Sequence, residues 1–593
     1  MPQKQITWDL SQLVESISPD AVLKKLDLMT AEAEKIREKY HGKIQSLDAK
    51  ALLKLLESRD AFTLKTDGTV RYCRLMYAAD STDKKAKQLN DASRRASAKA
   101  DQALAFINVE LGKLIASKPS LIKNRVLKEY RHYLERILRK APHMLTETEE
   151  RLIIAKDKNG INAWEILQSD WLSTRAFMIT IKGKKKTLPY EQMTGLYQDA
   201  DRGVRRRANQ TVYEGLGKDD IVWASALRAV CEDHMQMCEL RKYSTPMAQS
   251  VIDNDVDQKA IDSLMRTILK NVDLYRRYLK LKARLMGLAK LANYDLTAPL
   301  PNRPEKAYAW NEARKQVLEA YNGFDSEVGG WIREMYQKRH IDGEVRRGKT
   351  SGAFCAPWLA GKSAYVLQSF NGKLGDVFTQ AHELGHAIHD YLATRAQNPT
   401  NCDYGSCIAE TGSIFGELLL TESLLSKAKT NEEKQVILAQ VLDGFGMTAF
   451  QVSARTFFEQ SMYEAIKQGR FLDGETVAKL WVAARNKIYG DAVEWLDVMR
   501  WEWTMKPHYY MANYRFYNYP YVFAKLFVYA LYRLYKEQGR RFVPKMKRLL
   551  AAGASKPPQQ LAKELVFNIA DEKFWQKGMA QAEEFIDMLE KTL

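Results

Sequence analysis

Several things are scarce in this 593-residue chain, and each scarcity removes a class of protein. Six cysteines, Cys73, Cys231, Cys238, Cys355, Cys402 and Cys407, are too few and too scattered to staple a chain of this length, so reduced thiols are expected. Cys231, His234 and Cys238 share a helix face, but three soft ligands without a fourth make a poor metal set, and they are expected to be ordinary core residues. No apolar run reaches the roughly 18 residues of a membrane span, and the best, AKLFVYALYRLYK at 524–536, is broken by charge. Behind the early Lys4 there is neither an apolar stretch nor a small-residue cleavage site, so no secretory signal is visible. Repeats and low-complexity segments are also missing. The expectation is a soluble, cytoplasmic protein with no membrane partner.

What is present is ordinary for a folded protein: 46% hydrophobic and 28% charged residues. The net charge of +18 would suit a nucleic-acid binder. However, apart from clusters such as RGVRRR at 202–207 and KGKKK at 182–186, basic and acidic residues alternate along helical segments and read as a solvated surface. No nucleic-acid-binding motif accompanies the charge, so nucleic acid is not expected as a partner. Apolar residues recur every three or four positions through most of the chain, which predicts a mostly α fold. A hairpin is expected at 175–190 around Gly183, and a strand at 363–372 ended by Gly372. A soft boundary near residue 195 separates an N-terminal helical region, 1–195, from a larger part, 196–593, that carries the motifs.

The segment DVFTQAHELGHAIHDYLA at 376–393 contains His382, Glu383 and His386 as H-E-x-x-H. On a helix the two histidines lie about 40° apart around the axis and can reach one metal ion. Glu383, about 100° round, sits beside that ion free to take a proton from its water. Leu384, Ala387, Ile388 and Leu392 supply an apolar back face. The competing expectation, two core histidines beside a surface glutamate, requires a chance match in a chain with only nine histidines.

A catalytic zinc, one per chain, needs a third protein ligand. The metzincin arrangement requires Gly and His where this chain has His389 and Leu392, so it fails. A carboxylate from a second helix is the alternative, and IAETGSIFGELLLTESLL from Ile408 offers Glu410 and Glu417 on one face. Glu410, 24 residues after His386, is expected as the ligand, with Glu417 accepting a hydrogen bond from a ligand imidazole and His389 in a supporting position. Further on, KPHYYMANYRFYNYPYVFAKL at 506–526 carries His508 and six tyrosines before Val522. Phenol and imidazole donors of this kind stabilise the negative charge that builds on a carbonyl oxygen during hydrolysis, although a core aromatic helix would look similar.

Taken together, TWDLSQL at 7–13, SGAFCAPW running on to AYVLQSFNGKLGDVFTQAHELGHAIH, IAETGSIFGELLL, the PHYY segment and the late LLAAGASKPPQQLAKEL resemble the oligoendopeptidase F branch of the thimet oligopeptidase family of zinc metallopeptidases. The resemblance implies a two-lobed helical ellipsoid with a deep central channel, a small β-sheet next to the zinc site, and endopeptidase action on short unstructured peptides. It implies that Glu383 is the general base and that the strand from Ala364 through Tyr365 to Phe370 pairs with substrate backbone. It also implies that His508 with Tyr514 or Tyr521 contacts the scissile carbonyl. The chain departs from the family pattern at YRFYNYPY, where Arg515 and Pro520 are interposed, which leaves Tyr517 and Tyr519 as further candidates. Two other functions compete: a C-terminal exopeptidase of the same zinc class, and a non-catalytic basic helical binding protein.

Overall fold

The computed structural model describes residues 6–301, 303 and 306–593. Helix accounts for 72% of the protein and strand for 5%, in agreement with the expected helical fold. The chain forms two compact units, each assembled from three segments: unit 1 from 1–142, 305–427 and 531–567, unit 2 from 143–304, 428–530 and 568–593. Residue 195 therefore lies inside unit 2, and no single cut separates the two.

In unit 1 the helices α1 (Pro19–Tyr40), α2 (Ala49–Ala79) and α3 (Lys84–Leu104) pack on one another. Their starts are fixed locally. Pro19 opens α1, where its missing N–H is harmless, while Asp48 and Asp83 cap α2 and α3 by accepting hydrogen bonds from Ala51 and Ala86. Helices α4 (Trp310–Phe324) and α5 (Ser326–Gln337) follow, joined by Asp325, whose carboxylate accepts from Glu327 and Val328. Three short strands, β1 (Ile341–Asp342), β2 (Phe354–Trp358) and β3 (Ser363–Leu367), form a sheet in which β3 is central, parallel to β1 and antiparallel to β2. The early TWDLSQL segment seals the sheet: Trp8 meets Tyr365 edge-on, and Asp9 donates its backbone N–H to Arg339. Helices α6 (Leu374–Ala396) and α7 (Thr411–Lys427) complete the part of the unit that matters below.

Unit 2 holds the predicted hairpin, Ala176–Ile181 paired with Lys184–Pro189 through a turn at Lys182 and Gly183, both with positive φ. Its core is aromatic, with Trp223, Trp481, Trp503, Tyr509 and Tyr510 at most 1–2% exposed. One continuous helical stretch, Asn431–Lys467, is long and apolar enough by length and composition to cross a membrane, but 56% of its most apolar window is buried inside the protein. Cys231, His234 and Cys238 are buried as expected, and the His234 Nε2–H donates to the Pro246 carbonyl at 2.7 Å.

That histidine makes an acid-stability prediction. Burial lowers the His234 pKa to about 4, and burial lowers that of His340, in unit 1, to about 4 as well. Because the folded values lie below the unfolded one, the unfolded chain binds more protons as pH falls from 6.5 towards 4. Stability is therefore lost on acidification, by on the order of 3 kcal/mol per histidine once pH reaches the folded pKa. His234→Gln, which still donates to a carbonyl and cannot charge, will show a smaller loss of urea midpoint between pH 7.5 and pH 4 than wild type. An equal loss in both proteins refutes the assignment.

Candidate metal centre

Helix α6 begins where the Asp376 carboxylate accepts from the backbone N–H groups of Asn371 and Lys373, just after Gly372 turns the chain with φ +82°. Helix α7 crosses α6 closely enough that backbone meets backbone. A Cβ on Gly385 would stand 2.3 Å from the Gly412 carbonyl oxygen, and one on Gly416 would stand 1.9 Å from the Tyr321 hydroxyl. Tyr321, from α4, donates to the Ala381 carbonyl at 2.6 Å and holds the crossing from a third side. The glycine inside H-E-L-G-H is thus what lets the second helix bring its carboxylates to the histidines. Gly412→Ala forces overpacking here, costing roughly 1–3 kcal/mol and weakening metal retention together, which calorimetry and metal titration will show. Unchanged stability and metal content would mean that the crossing tolerates the extra carbon.

The sequence places Glu410 and Glu417 on one helix, whereas the structure breaks that helix at Glu410. A four-residue turn, Ser406–Ala409, ends there, and α7 starts at Thr411. The junction aims Glu410 at the imidazoles. Its Oε2 lies 3.3 Å from His382 Nε2 and 3.4 Å from His386 Nε2, and the Ser413 hydroxyl donates to the same oxygen at 2.7 Å. All three ligand atoms fall within 4.8 Å of one another. Bonds of about 2.1 Å to a tetrahedral ion put neighbouring ligand atoms about 3.4 Å apart, so the set fits one metal ion. His382 Nδ1 is 2.7 Å from Glu417 Oε1, which holds the proton on Nδ1 and turns Nε2 towards Glu410, leaving Nε2 as the atom a metal would take.

The electrostatics of the cluster agree with a cation-seeking site. Burial disfavours charge on His382, but the Glu417 hydrogen bond and the surrounding carboxylates overcome it and bring its pKa to about 9. Burial would raise Glu410, but the His386 hydrogen bond and the charges of both histidines bring it down to about 2. Glu383 is only 6% exposed, and burial raises its pKa above the ordinary glutamate value against the pull of His382 and His386. It stands outside the donor set and lines the same cavity, of about 430 Å³, as His382, His386 and Glu410. His389 does not reach this cavity. It is fully buried, stacked on Tyr404 with ring centroids 4.0 Å apart, and burial lowers its pKa to about 3.

One expectation is corrected. Ala364 and Tyr365 are fully buried, and they belong to the central strand β3, which pairs with Pro357 and Ala356 of β2. The Tyr365 ring stacks on His340 and its hydroxyl donates to the Asp9 carbonyl, so neither residue can meet a substrate. The edge strand beside the site is β2, and its Phe354, Cys355 and Pro357 line the cavity. Alternating apolar residues mark a strand without saying whether it lies inside the sheet or at its edge, which is why the sequence pointed to the wrong neighbour. The proline at 357 was the available signal, since proline within a sheet favours an edge.

In unit 2 the aromatic segment sorts into two groups. Tyr509, Tyr510 and Tyr519 are at most 1% exposed and form core, and the Tyr519 hydroxyl donates to the Ser250 carbonyl, which removes Tyr519 as a candidate. Tyr514 and Tyr521 are 55% and 36% exposed, and Tyr517 lies between them, hydrogen-bonded through its hydroxyl to that of Tyr521. The His508 ring sits 4.2 Å from that of Tyr517. The interposed Arg515 holds this surface cluster from beneath: it donates to the Tyr509 carbonyl at 2.7 Å and to Glu459 Oε1 at 2.8 Å, and the same oxygen accepts from the Phe516 N–H at 2.8 Å.

Comparison with known proteins agrees with the fold. The pattern of peptidase family M3 matches residues 196–581, and that of oligopeptidase F matches 119–174. An oligoendopeptidase F homologue from Lactococcus lactis is 26% identical over 87% of this chain and 86% of its own length. A solved structure of a Chlamydophila abortus protein assigned as a peptidase has 22% identity and a TM-score of 0.88 over 100% of this chain and 99% of its own. Oligoendopeptidase F from Enterococcus faecium has 22% identity and a TM-score of 0.70 over 97% and 99%. With more than half of its length matched, this chain belongs to peptidase family M3, in the oligoendopeptidase F branch.

Proposed function

We propose that this peptidase is a zinc-dependent endopeptidase that cuts internal bonds of short unstructured peptides. The observation that carries the proposal is the convergence of His382, His386 and Glu410 on one point, with the buried Glu383 carboxylate beside them and free of the donor set. Zinc, when bound by these three residues, supplies a Lewis acid that polarises a carbonyl and acidifies water. Glu383 takes the proton of the attacking water and later delivers it to the leaving amine, a role suited to a carboxylate made more basic by burial. Glu417 fixes the His382 tautomer. The edge strand β2 offers unpaired backbone groups to an extended peptide, which supports its choice over β3 as the strand that aligns substrate. His508, Tyr514, Tyr517 and Tyr521 are assigned to stabilising charge on the carbonyl oxygen, by family resemblance and because their rings are accessible. The six free thiols support placement in the cytoplasm.

A fluorogenic peptide blocked at both ends tests the reading, with zinc content measured on the same sample. Internal cleavage that stops on chelation and returns with zinc is expected. Removal of C-terminal residues from unblocked peptides only would replace the endopeptidase reading with the exopeptidase one.

A further inference from the structure

A second group of charges lies wholly within unit 2, with Arg485 and Glu502 buried and Arg455 and Lys506 half-buried. Arg455 projects from the helix Val452–Lys467, Arg485 from the helix Gly474–Tyr489, and Glu502 and Lys506 from the 3-10 segment Asp497–Met505 and the residue after it. Arg485 is 5% exposed. Its Nε and Nη1, together with the Arg455 Nε, are sealed from solvent without an acceptor, and none of the three cations forms a close ion pair among the described residues, Glu502 acting on Arg485 and Lys506 only through its charge. The only acid among them, Glu502, is held by Gln451 Nε2 at 3.3 Å through one oxygen. Gln451 closes a six-residue π-helical segment, Gly446–Gln451, a local irregularity that recurs at functional sites.

Three cations against one carboxylate leave the cluster short of negative charge, and its neighbours register the deficit. Burial and then the Arg455 charge bring Lys506 down to about 7, and burial lowers Arg485 to about 10. Burial, Lys506 and Arg455 bring His508 down to about 4. An unpaired buried guanidinium is costly, so a counter-ion that reaches these donors will bind favourably. Aromatic surface surrounds them: Arg485 stacks on Trp495 at 3.9 Å, and the buried Tyr509 hydroxyl has no partner. Such walls favour a small, weakly hydrated anion over a bulky one.

We propose that Arg455, Arg485 and Lys506 form a binding site for a single small monovalent inorganic anion of the halide class, with chloride as the abundant occupant. The bound ion neutralises the excess charge and bridges the two helices that carry the guanidinium groups.

The whole protein, exchanged into buffer whose only anion is gluconate, is titrated with chloride and with bromide at constant ionic strength while its thermal midpoint is followed. A saturable rise of roughly 2 °C is expected for wild type, and none for Arg485→Gln or Arg455→Gln. Equal midpoints in chloride and gluconate, or the same rise in wild type and both variants, overturns the proposal. Should the variants fail to fold, crystals of the wild type soaked in bromide decide it: an anomalous peak within hydrogen-bonding distance of both guanidinium groups supports the site, and no peak there refutes it.

Discussion

Glu383→Gln will bind metal at the wild-type stoichiometry and hydrolyse peptides at least about 10²- to 10⁴-fold more slowly, the range expected for loss of a general base. The separation of the two properties is the substance of the prediction. Glu383 lies on α6 about 100° round from His382, and the ligand atoms that converge belong to His382, His386 and Glu410. Glutamine matches glutamate in size, so the packing of a side chain that is 6% exposed survives. Removing a carboxylate from among Glu410 and Glu417 also relieves like-charge repulsion, so the donor set is not weakened. What is lost is a carboxylate beside the histidines that can accept a proton without giving up a ligand bond. Kinetics with the blocked peptide and metal analysis on one preparation provide the check. A variant within about tenfold of wild type would transfer the base role to another group in the cavity; a variant that is inactive and metal-free would show that Glu383 holds the site together instead.

Arg515→Met will destabilise the protein by about 3–5 kcal/mol, the usual consequence of leaving one member of a buried ion pair alone. Glu459 is 1% exposed and Arg515 5% exposed. Burial already raises the Glu459 pKa, with the Arg515 charge working against that rise. Without Arg515 the carboxylate keeps only the Phe516 N–H, and Phe516 itself sits at φ +55°, a conformation the surrounding bonds must hold. The segment from Tyr509 to Phe516 then loses the bond that ties it to the helix beneath, and the His508 and Tyr517 rings lose their fixed position. Glu459→Met in the Arg515→Met background removes the stranded charge and should recover most of the lost stability, because an apolar pair of similar volume commonly replaces a buried ion pair at little cost. Urea midpoints of the two single variants and the double variant form the cycle. Additive losses would mean that the two residues act independently.

Arg515 also shows where sequence reasoning stops. In YRFYNYPY it looks like an interruption of an aromatic motif, and nothing in its spacing announces a partner 56 positions away on the helix Val452–Lys467. The six tyrosines around it are equally ambiguous in sequence, since each has the same ring and hydroxyl. Only packing divides them into a core set, Tyr509, Tyr510 and Tyr519, and an accessible set, Tyr514, Tyr517 and Tyr521. Strand order has the same character. Ser363–Leu367 is legible as a strand from its own residues, but its place at the centre of the sheet depends on Ile341, which lies 25 positions before its partner Val366.

By itself the sequence determined what short-range geometry dictates. A helical period of 3.6 residues puts His382 and His386 on one face with Glu383 beside them, and capping residues and glycines mark where α6 starts. The helical class and the hairpin at Gly183 follow from such local rules, and the second helix of IAETGSIFGELLL offers the downstream glutamates. Tertiary structure decided what depends on distances between segments. Gly385 against Gly412 sets how near α7 comes, the break at Glu410 sets where its carboxylate points, and Glu417 reaches His382 Nδ1 only because of that approach. Burial, too, is a property of the assembled fold, and it is burial that makes Glu383 a stronger base and leaves Arg485 seeking an anion. Spacing along a chain encodes orientation around a helix axis, whereas contact and dielectric environment exist only once distant segments have packed.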